Sequence, residues 1–387
     1  MEFLLTLLVL LLCAKVFGEL LHHLGFSALI GEVAVGIVIG PAVFGWIKPD
    51  AYIEAVALLG LVVLMLVAGM NSRFDLFMKV KFQALVIAVL GMAVSFVLGF
   101  GVAYAWTQEL LPSLFVAVAL SNTATEVVAR FTGGSRFRHL IISAALIDDI
   151  LAVYILGILS AATLKGVNLD VFVWATVGVV AFFLIVGYLS HKLIVEKDIM
   201  RKLWRFERRG IPLAFALILA LALAVIAQHV GLHAIIGAYM AGLFIGRLRE
   251  RPDALLLSRI RLNTILGDAT TSLQAIITPM FFVYVGLKFA PDWGQMNLVV
   301  LLALIAAAFA GKILGCGAGA AVMGYKGKDS VTIGTAMCSR GSLEVAVLLF
   351  GLEAGVVSAS LFSVMVVVTL TTTILTPILF RLVTRAR

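Results

Sequence analysis

Asp148 and Asp149 stand side by side in an apolar run from about His139 to Thr163, a length sufficient to cross a bilayer as a helix. A single Asp at the centre of such a span costs roughly 2.5 to 3.5 kcal/mol on insertion scales, so two in succession are a functional signal. Consecutive side chains on a helix diverge by about 100°, so the two carboxylates face different neighbours. The chemistry expected of acids at that depth is the binding of cations and protons.

The rest of the chain has the composition of a membrane domain. Its 387 residues are 63% hydrophobic and 13% charged, against roughly 45 to 50% apolar and 25% charged in soluble proteins. Hydropathy predicts thirteen spans, at about 3–21, 27–46, 52–70, 82–106, 112–131, 139–163, 169–193, 211–230, 233–248, 269–290, 297–323, 331–352 and 358–382. The expected class is an all-α polytopic membrane protein, one transmembrane transport domain over 1–387. Met1-Glu2-Phe3 opens without a basic segment, so the first apolar run is expected to be retained as a span.

A net charge of +8 is accounted for by topology. With the N-terminus outside and the C-terminus cytoplasmic, the cytoplasmic segments carry 24 Lys and Arg and the opposite side 3. That asymmetry is the positive-inside pattern, and it makes lipid, not nucleic acid, the expected surroundings. Lys312 and Arg340 alone fall inside spans. Cys13, Cys316 and Cys338 lie in apolar runs without metal-ligand spacing, and no cofactor is expected.

Two echoes suggest an internal repeat. Ala28–Gly40 in span 2 and Ala234–Gly246 in span 9 are identical at six of thirteen positions. Ser121 to Val127 in span 5 and Ser339 to Val345 in span 12 both read Ser, four residues, Glu-Val. Each pair lies seven spans apart, so the copies point in opposite directions. Two inverted six-span repeats joined by span 7 is a pattern of secondary transporters.

Spans 5 and 12 are apolar at their ends and polar in the middle. Span 5 holds Ser121, Asn122, Thr123, Thr125 and Glu126; span 12 holds Ser339, Arg340, Gly341, Ser342 and Glu344. Helices broken at such points free backbone carbonyls and add hard oxygen ligands. Lys312 sits too deep in span 11 to snorkel, and a buried ammonium needs an acid. One Asp is therefore expected on Lys312 and the other facing an aqueous cavity. Arg340 and Glu344, four apart, are placed to pair along a helix. Glu126 either joins the ion site or offsets Arg340. Glu32, early in span 2, is interfacial or bonded between helices.

These residues resemble the monovalent cation/proton antiporter superfamily, specifically its bacterial and archaeal sodium/proton branch with an Asp-Asp motif. The resemblance is carried by Ile30-Gly31-Glu32-Val33 through Gly40-Pro41, Ile147-Asp148-Asp149, Thr278-Pro279-Met280-Phe281-Phe282 through Gly286, Gly311-Lys312 and Arg340-Gly341. It implies scaffold and dimerisation helices at about 1–70 and 211–290, core helices at about 82–163 and 297–382, and a linker helix at 169–193. It implies crossed, discontinuous helices at spans 5 and 12, a homodimer in the cell membrane, and electrogenic exchange of cytoplasmic Na⁺ or Li⁺ for external H⁺. By the same analogy Na⁺ binds at Asp149, with Asp148, Thr123, Asn122, Ser121 and Glu126 in its surroundings. Asp148 pairs with Lys312 as charge partner or proton carrier, and Arg340, Ser342 and Glu344 support the crossing.

Two departures bear on ion preference: Ser342 where many relatives have Glu, and Glu126 where many have a small residue. The alternative within transport is a K⁺/H⁺ antiporter or K⁺ efflux system, against which Asp148, in place of Gln, argues. An aspartyl enzyme is not expected, because catalytic dyads bring acids from separate elements to about 3 Å.

Overall fold

The computed structural model describes residues 2–71, 74–166, 169–192, 211–249, 256–292 and 297–385. Of the basic positions in the topology count, those between 193 and 209, with Arg73, Arg251 and Arg387, lie outside the described residues. Among the described residues the chain is helical throughout and has no strand. In chain order the helices are α1 Glu2–His23, α2 Ala28–Ile39, α3 Ala51–Asn71, α4 Phe74–Thr107, α5 Leu110–Ser121, α6 Thr125–Phe131, α7 Arg138–Lys165 and α8 Leu169–His191. They continue as α9 Ile211–His229, α10 Ala234–Arg249, α11 Leu256–Leu287, α12 Leu298–Val322, α13 Lys328–Ala336, α14 Ser342–Glu353 and α15 Ala359–Arg385. Eight helical stretches among the described residues are long and apolar enough to cross a membrane. A helix satisfies its own backbone, which is why apolar runs in lipid take this form.

Several ends differ from the hydropathy reading. The span expected over 27–46 is helical only to Ile39. Gly40 leaves the helix with ψ −177°, as the residue before Pro41 must to avoid the proline ring. Helices α4 and α11 begin well before 82 and 269, because an apolar window marks the greasy part of a helix and not its polar first turns.

The chain forms two compact units, Met1–Glu54 with Leu76–Ile155 and Phe282–Arg387, and Ala55–Asp75 with Leu156–Phe281. In the second, glycines let backbones touch: a Cβ on Gly242 of α10 would lie 2.8 Å from the Gly69 Cα of α3, and one on Gly60 of α3 2.7 Å from the Ile277 carbonyl of α11. In the first, α12 lies on α4 along Gly311, Gly315 and Gly319, spaced one turn apart. A Cβ at these positions would come 2.6 Å from Ser95 Cα, 2.6 Å from the Leu90 carbonyl and 2.8 Å from Ile87 Cα. This stripe of small residues fixes the depth and rotation of α12, and with them Lys312.

Two spans of the first unit are broken. Between α5 and α6 the chain runs extended, with Asn122 at φ −79°, ψ 159° and Ala124 at φ −72°, ψ 96°. Between α13 and α14 it leaves the helix after Met337 and re-enters from an extended Gly341. The two breaks meet. Ala124 N–H donates to the Ser339 carbonyl at 2.9 Å, and a Cβ on Gly341 would stand 2.5 Å from that of Ala124. Gly341 is needed for space, not for its backbone angles.

The α4–α12 contact predicts a contrast. Gly315→Val should destabilise the protein by about 1 to 3 kcal/mol or more through overpacking. Gly101→Ala, on an open face of α4 with no atom within 4 Å of its Cβ position, should be neutral or slightly stabilising. Thermal unfolding of the detergent-purified variants checks both.

Candidate functional site

The two aspartates lie on α7 and divide as their helical divergence requires. Asp148 is fully buried and Asp149 half-buried. Small residues let the helices of this unit pack closely: Ala144 and Ala145 of α7, Ala88 of α4, Cys316 and Ala320 of α12 and Ala336 of α13 belong to one buried cluster.

Lys312, also fully buried, places its Nζ 2.5 Å from Asp148 Oδ2. The same oxygen accepts from Thr123 Oγ1 at 2.7 Å, and Thr123 is also within reach of the Met337 carbonyl at 3.0 Å. Asp148 Oδ1 is buried and has no hydrogen-bond partner among the described residues. A buried ion pair of this kind is costly to assemble, and costlier to break by removing one member, because the survivor is left charged and dry.

Asp149 has a different setting. Its Oδ2 accepts from Thr125 Oγ1 at 2.7 Å, and Asn122 is near enough to act on the same carboxylate. The extended segment makes this division possible: two threonines spaced by two residues serve two adjacent aspartates. Glu126, the next residue, is exposed and lies within electrostatic range of Asp149. Asp149 thus combines partial exposure, an acidic neighbour and hydroxyl and amide groups. Such a site suits a small cation or a proton.

The crossing is held by Arg340, fully buried in the break between α13 and α14. Its Nη1 donates to the Asn122 carbonyl at 2.8 Å and its Nη2 to the Ala308 carbonyl at 3.1 Å, one turn before Lys312. Thr373 of α15 donates to the Arg340 carbonyl at 2.9 Å. Glu344 is buried, with Oε1 on the Thr369 hydroxyl at 2.8 Å and Oε2 4.0 Å from Arg340 Nε. That separation is an ion-pair distance but longer than a hydrogen bond. Helical i,i+4 spacing does not apply, since Arg340 precedes the helix that carries Glu344.

Most of the residues singled out from sequence gather here, with exceptions. Ser121 donates to the Val118 carbonyl of its own helix at 2.8 Å, the usual local competition for a helical serine. Ser342 is half-buried at the start of α14. Glu126 makes none of the hydrogen bonds to the Arg340 guanidinium found among the described residues. Thr125, Thr369 and Thr373 had not been singled out as site residues. Only the spacing of Thr123 and Thr125 offered a signal.

A family model described as the transmembrane sodium/hydrogen exchanger matches residues 6–385. The chain is 28% identical over 382 residues to the Na⁺/H⁺-K⁺ antiporter GerN of Bacillus cereus, covering 97% of this chain and 95% of GerN. It is 22% identical to an Na⁺/H⁺ antiporter of Enterococcus hirae, over 100% of this chain and 99% of that one. In fold it is similar to the sodium proton antiporter MjNhaP1 of Methanocaldococcus jannaschii, with a TM-score of 0.72 at 14% identity over 98% of this chain and 97% of that structure.

The ion pair yields a prediction for stability. Lys312→Met, which strands Asp148, should cost about 3 to 5 kcal/mol, whereas Lys312→Met with Asp148→Leu should recover most of the loss. Melting in detergent reads both; a single variant as stable as the parent would show that the pair carries no such energy.

Proposed function

The chain belongs to the transmembrane sodium/hydrogen exchanger family, and on that premise we propose that it is a secondary active sodium/proton antiporter, exchanging cytoplasmic Na⁺ or Li⁺ for external H⁺ and so serving pH homeostasis. One observation carries this reading: a half-buried Asp149 held by Thr125, beside an Asp148 buried and neutralised by Lys312, where two broken helices meet.

In the proposed cycle Asp149 holds either Na⁺ or a proton. Thr125, Asn122 and Thr123 line the site, and the carbonyls freed by the break between α5 and α6 are the further oxygen donors available to a desolvating cation. Lys312 offsets Asp148, so occupancy of Asp149 decides the net charge of the moving part. An uncompensated carboxylate cannot cross the low-dielectric barrier cheaply, so the site moves only when neutralised by one ion or the other. That restriction makes it an exchanger and not a leak, with access alternating between the two faces.

The same reading includes electrogenic exchange, with Lys312 the candidate for the additional proton, and a core moving against a scaffold in a homodimer. It sets the N-terminus outside and the C-terminus in the cytoplasm, and it requires no cofactor besides the transported ions. Coupling to K⁺ is the second reading, favoured by the Na⁺/H⁺-K⁺ activity in the name of GerN.

ΔpH dissipation in inside-out vesicles, with Na⁺, Li⁺ or K⁺ added in turn, tests the assignment. Asp149→Asn should reduce Na⁺-dependent exchange by at least about 10²-fold, the scale expected when a group that must bind the ion is lost, while the protein still inserts. Undiminished Na⁺-dependent flux in that variant would remove Asp149 from the mechanism, and a response to K⁺ alone would select the second reading.

A further inference from the structure

The contacts of Glu344 are one hydrogen short. Glu344 is fully buried on α14. Its Oε1 lies 2.8 Å from Thr369 Oγ1, and the same hydroxyl lies 2.9 Å from the Met365 carbonyl, one turn earlier on α15. A threonine hydroxyl has one hydrogen to donate and lone pairs with which to accept. Carboxylate and carbonyl oxygens only accept, so a single hydrogen faces two acceptors. A proton on Glu344 completes the set: Oε1–H donates to Thr369 Oγ1, and Thr369 donates to the Met365 carbonyl. Without that proton the hydroxyl turns to Oε1, and the Met365 carbonyl keeps its bond within α15. The two forms differ by the turn of one hydroxyl. Thr123 likewise stands between Asp148 and the Met337 carbonyl, but there the Lys312 ammonium donates to the same carboxylate oxygen.

Arg340 does not make with Glu344 the contact that Lys312 makes with Asp148. Its Nε is 4.0 Å from Glu344 Oε2, and neither atom has a hydrogen-bond partner among the described residues. The other guanidinium nitrogens are given to the Asn122 and Ala308 carbonyls. Arg340 is therefore held in place whichever form Glu344 takes. Besides Arg340, the Gly341 N–H acts on Glu344 from the break. Helix α5, packed on α14, carries no charged residue, and α15 has Arg381 and Arg385 only in its last two turns. Glu353 stands at the opposite end of α14, and Lys312 is paired with Asp148.

We infer that Glu344 is a proton-binding site of this exchanger, its proton held between Oε1 and Thr369 Oγ1, and that a proton there opposes cation binding at Asp149. The proton comes from solution and returns to it, and the O–H bond is the only covalent bond made or broken. The opposition follows from charge. Ionised Glu344 balances Arg340, and protonated Glu344 leaves the guanidinium unbalanced. Arg340 holds the carbonyl of Asn122, which in turn acts on Asp149. This second half rests on the exchange reading, in which Asp149 is the cation site.

Acid-minus-alkaline infrared difference spectra of the purified protein in lipid read the proton directly. In an Asp149→Asn background, acidification should bring up a carboxylic acid carbonyl component that vanishes when Glu344→Gln is added. Thr369→Val keeps the carboxyl and removes its hydrogen-bond partner, so it should shift that component in frequency, a readout open where the Gln variant fails to fold. Spectra that neither change alters overturn the site. In inside-out vesicles with Na⁺ titrated at the cytoplasmic face, Glu344→Gln should raise the half-maximal Na⁺ concentration about three- to tenfold at alkaline pH. The difference should shrink at acid pH, where the parent carries the proton too. An equal shift at every pH, as distortion alone would give, or no shift, overturns the opposition to Asp149. A parent without Na⁺-driven exchange would fail the antiport reading, while the infrared result still decides the proton site.

Discussion

Backbone taken out of a helix inside a bilayer has no water to turn to, and the central region of this protein follows from how it finds partners. Each broken span supplies what the other lacks. Ala124 N–H reaches the Ser339 carbonyl, the Arg340 guanidinium takes the Asn122 carbonyl, and the Thr123 hydroxyl reaches the Met337 carbonyl. Neither break is affordable without the other. Crossing them also requires near contact of the backbones, which Gly341 and Ala124 allow by having little or no side chain. Once this geometry exists, Asn122, Thr123 and Arg340 are presented from segments that are not helical, and their directions are set by the break.

The charges follow a similar logic of mutual dependence. Lys312 is carried by α12, whose position is set by Gly311, Gly315 and Gly319 against α4. Asp148 is carried by α7. Arg340 then ties the α5–α6 break to the Ala308 carbonyl on α12. A change in any of these contacts moves both members of the ion pair relative to Thr123. The pair is thus a register mark for three elements as much as a source of stability, in keeping with the small net energy of buried pairs.

What was legible in the sequence was what charge makes expensive. A Lys in mid-span demands an acid, and two consecutive acids demand different surroundings, so the pairing of Lys312 with one Asp and the exposure of the other follow from composition and helical pitch. The polar centres of spans 5 and 12 likewise marked the breaks. The choice of Asp148 as the paired acid came from the resemblance alone. The allocation of Thr123 to Asp148 and Thr125 to Asp149 was not legible, because it depends on the extended path from Asn122 to Ala124. Ser121 misled for the complementary reason: still helical, it bonds its own backbone. Arg340 does stand at ion-pair distance from Glu344, as the spacing suggests, but it lies outside the helix, and its hydrogen bonds go to carbonyls that no local pattern identifies.

The division between the two aspartates has a consequence for coupling on the exchange reading. Were both acids exposed, the site would carry two titrating charges at the same surface, and partial occupancy would leave a residual charge in transit. Seating Asp148 on Lys312 removes one from contention and leaves Asp149 as the group whose occupancy varies. Transit then depends on a single binary condition, filled or empty, and each filling ion satisfies it by the same charge. Thr125 sharpens that condition, since its hydroxyl fixes one carboxylate oxygen. On that reading, any proton beyond the one that fills Asp149 must come from a group outside it.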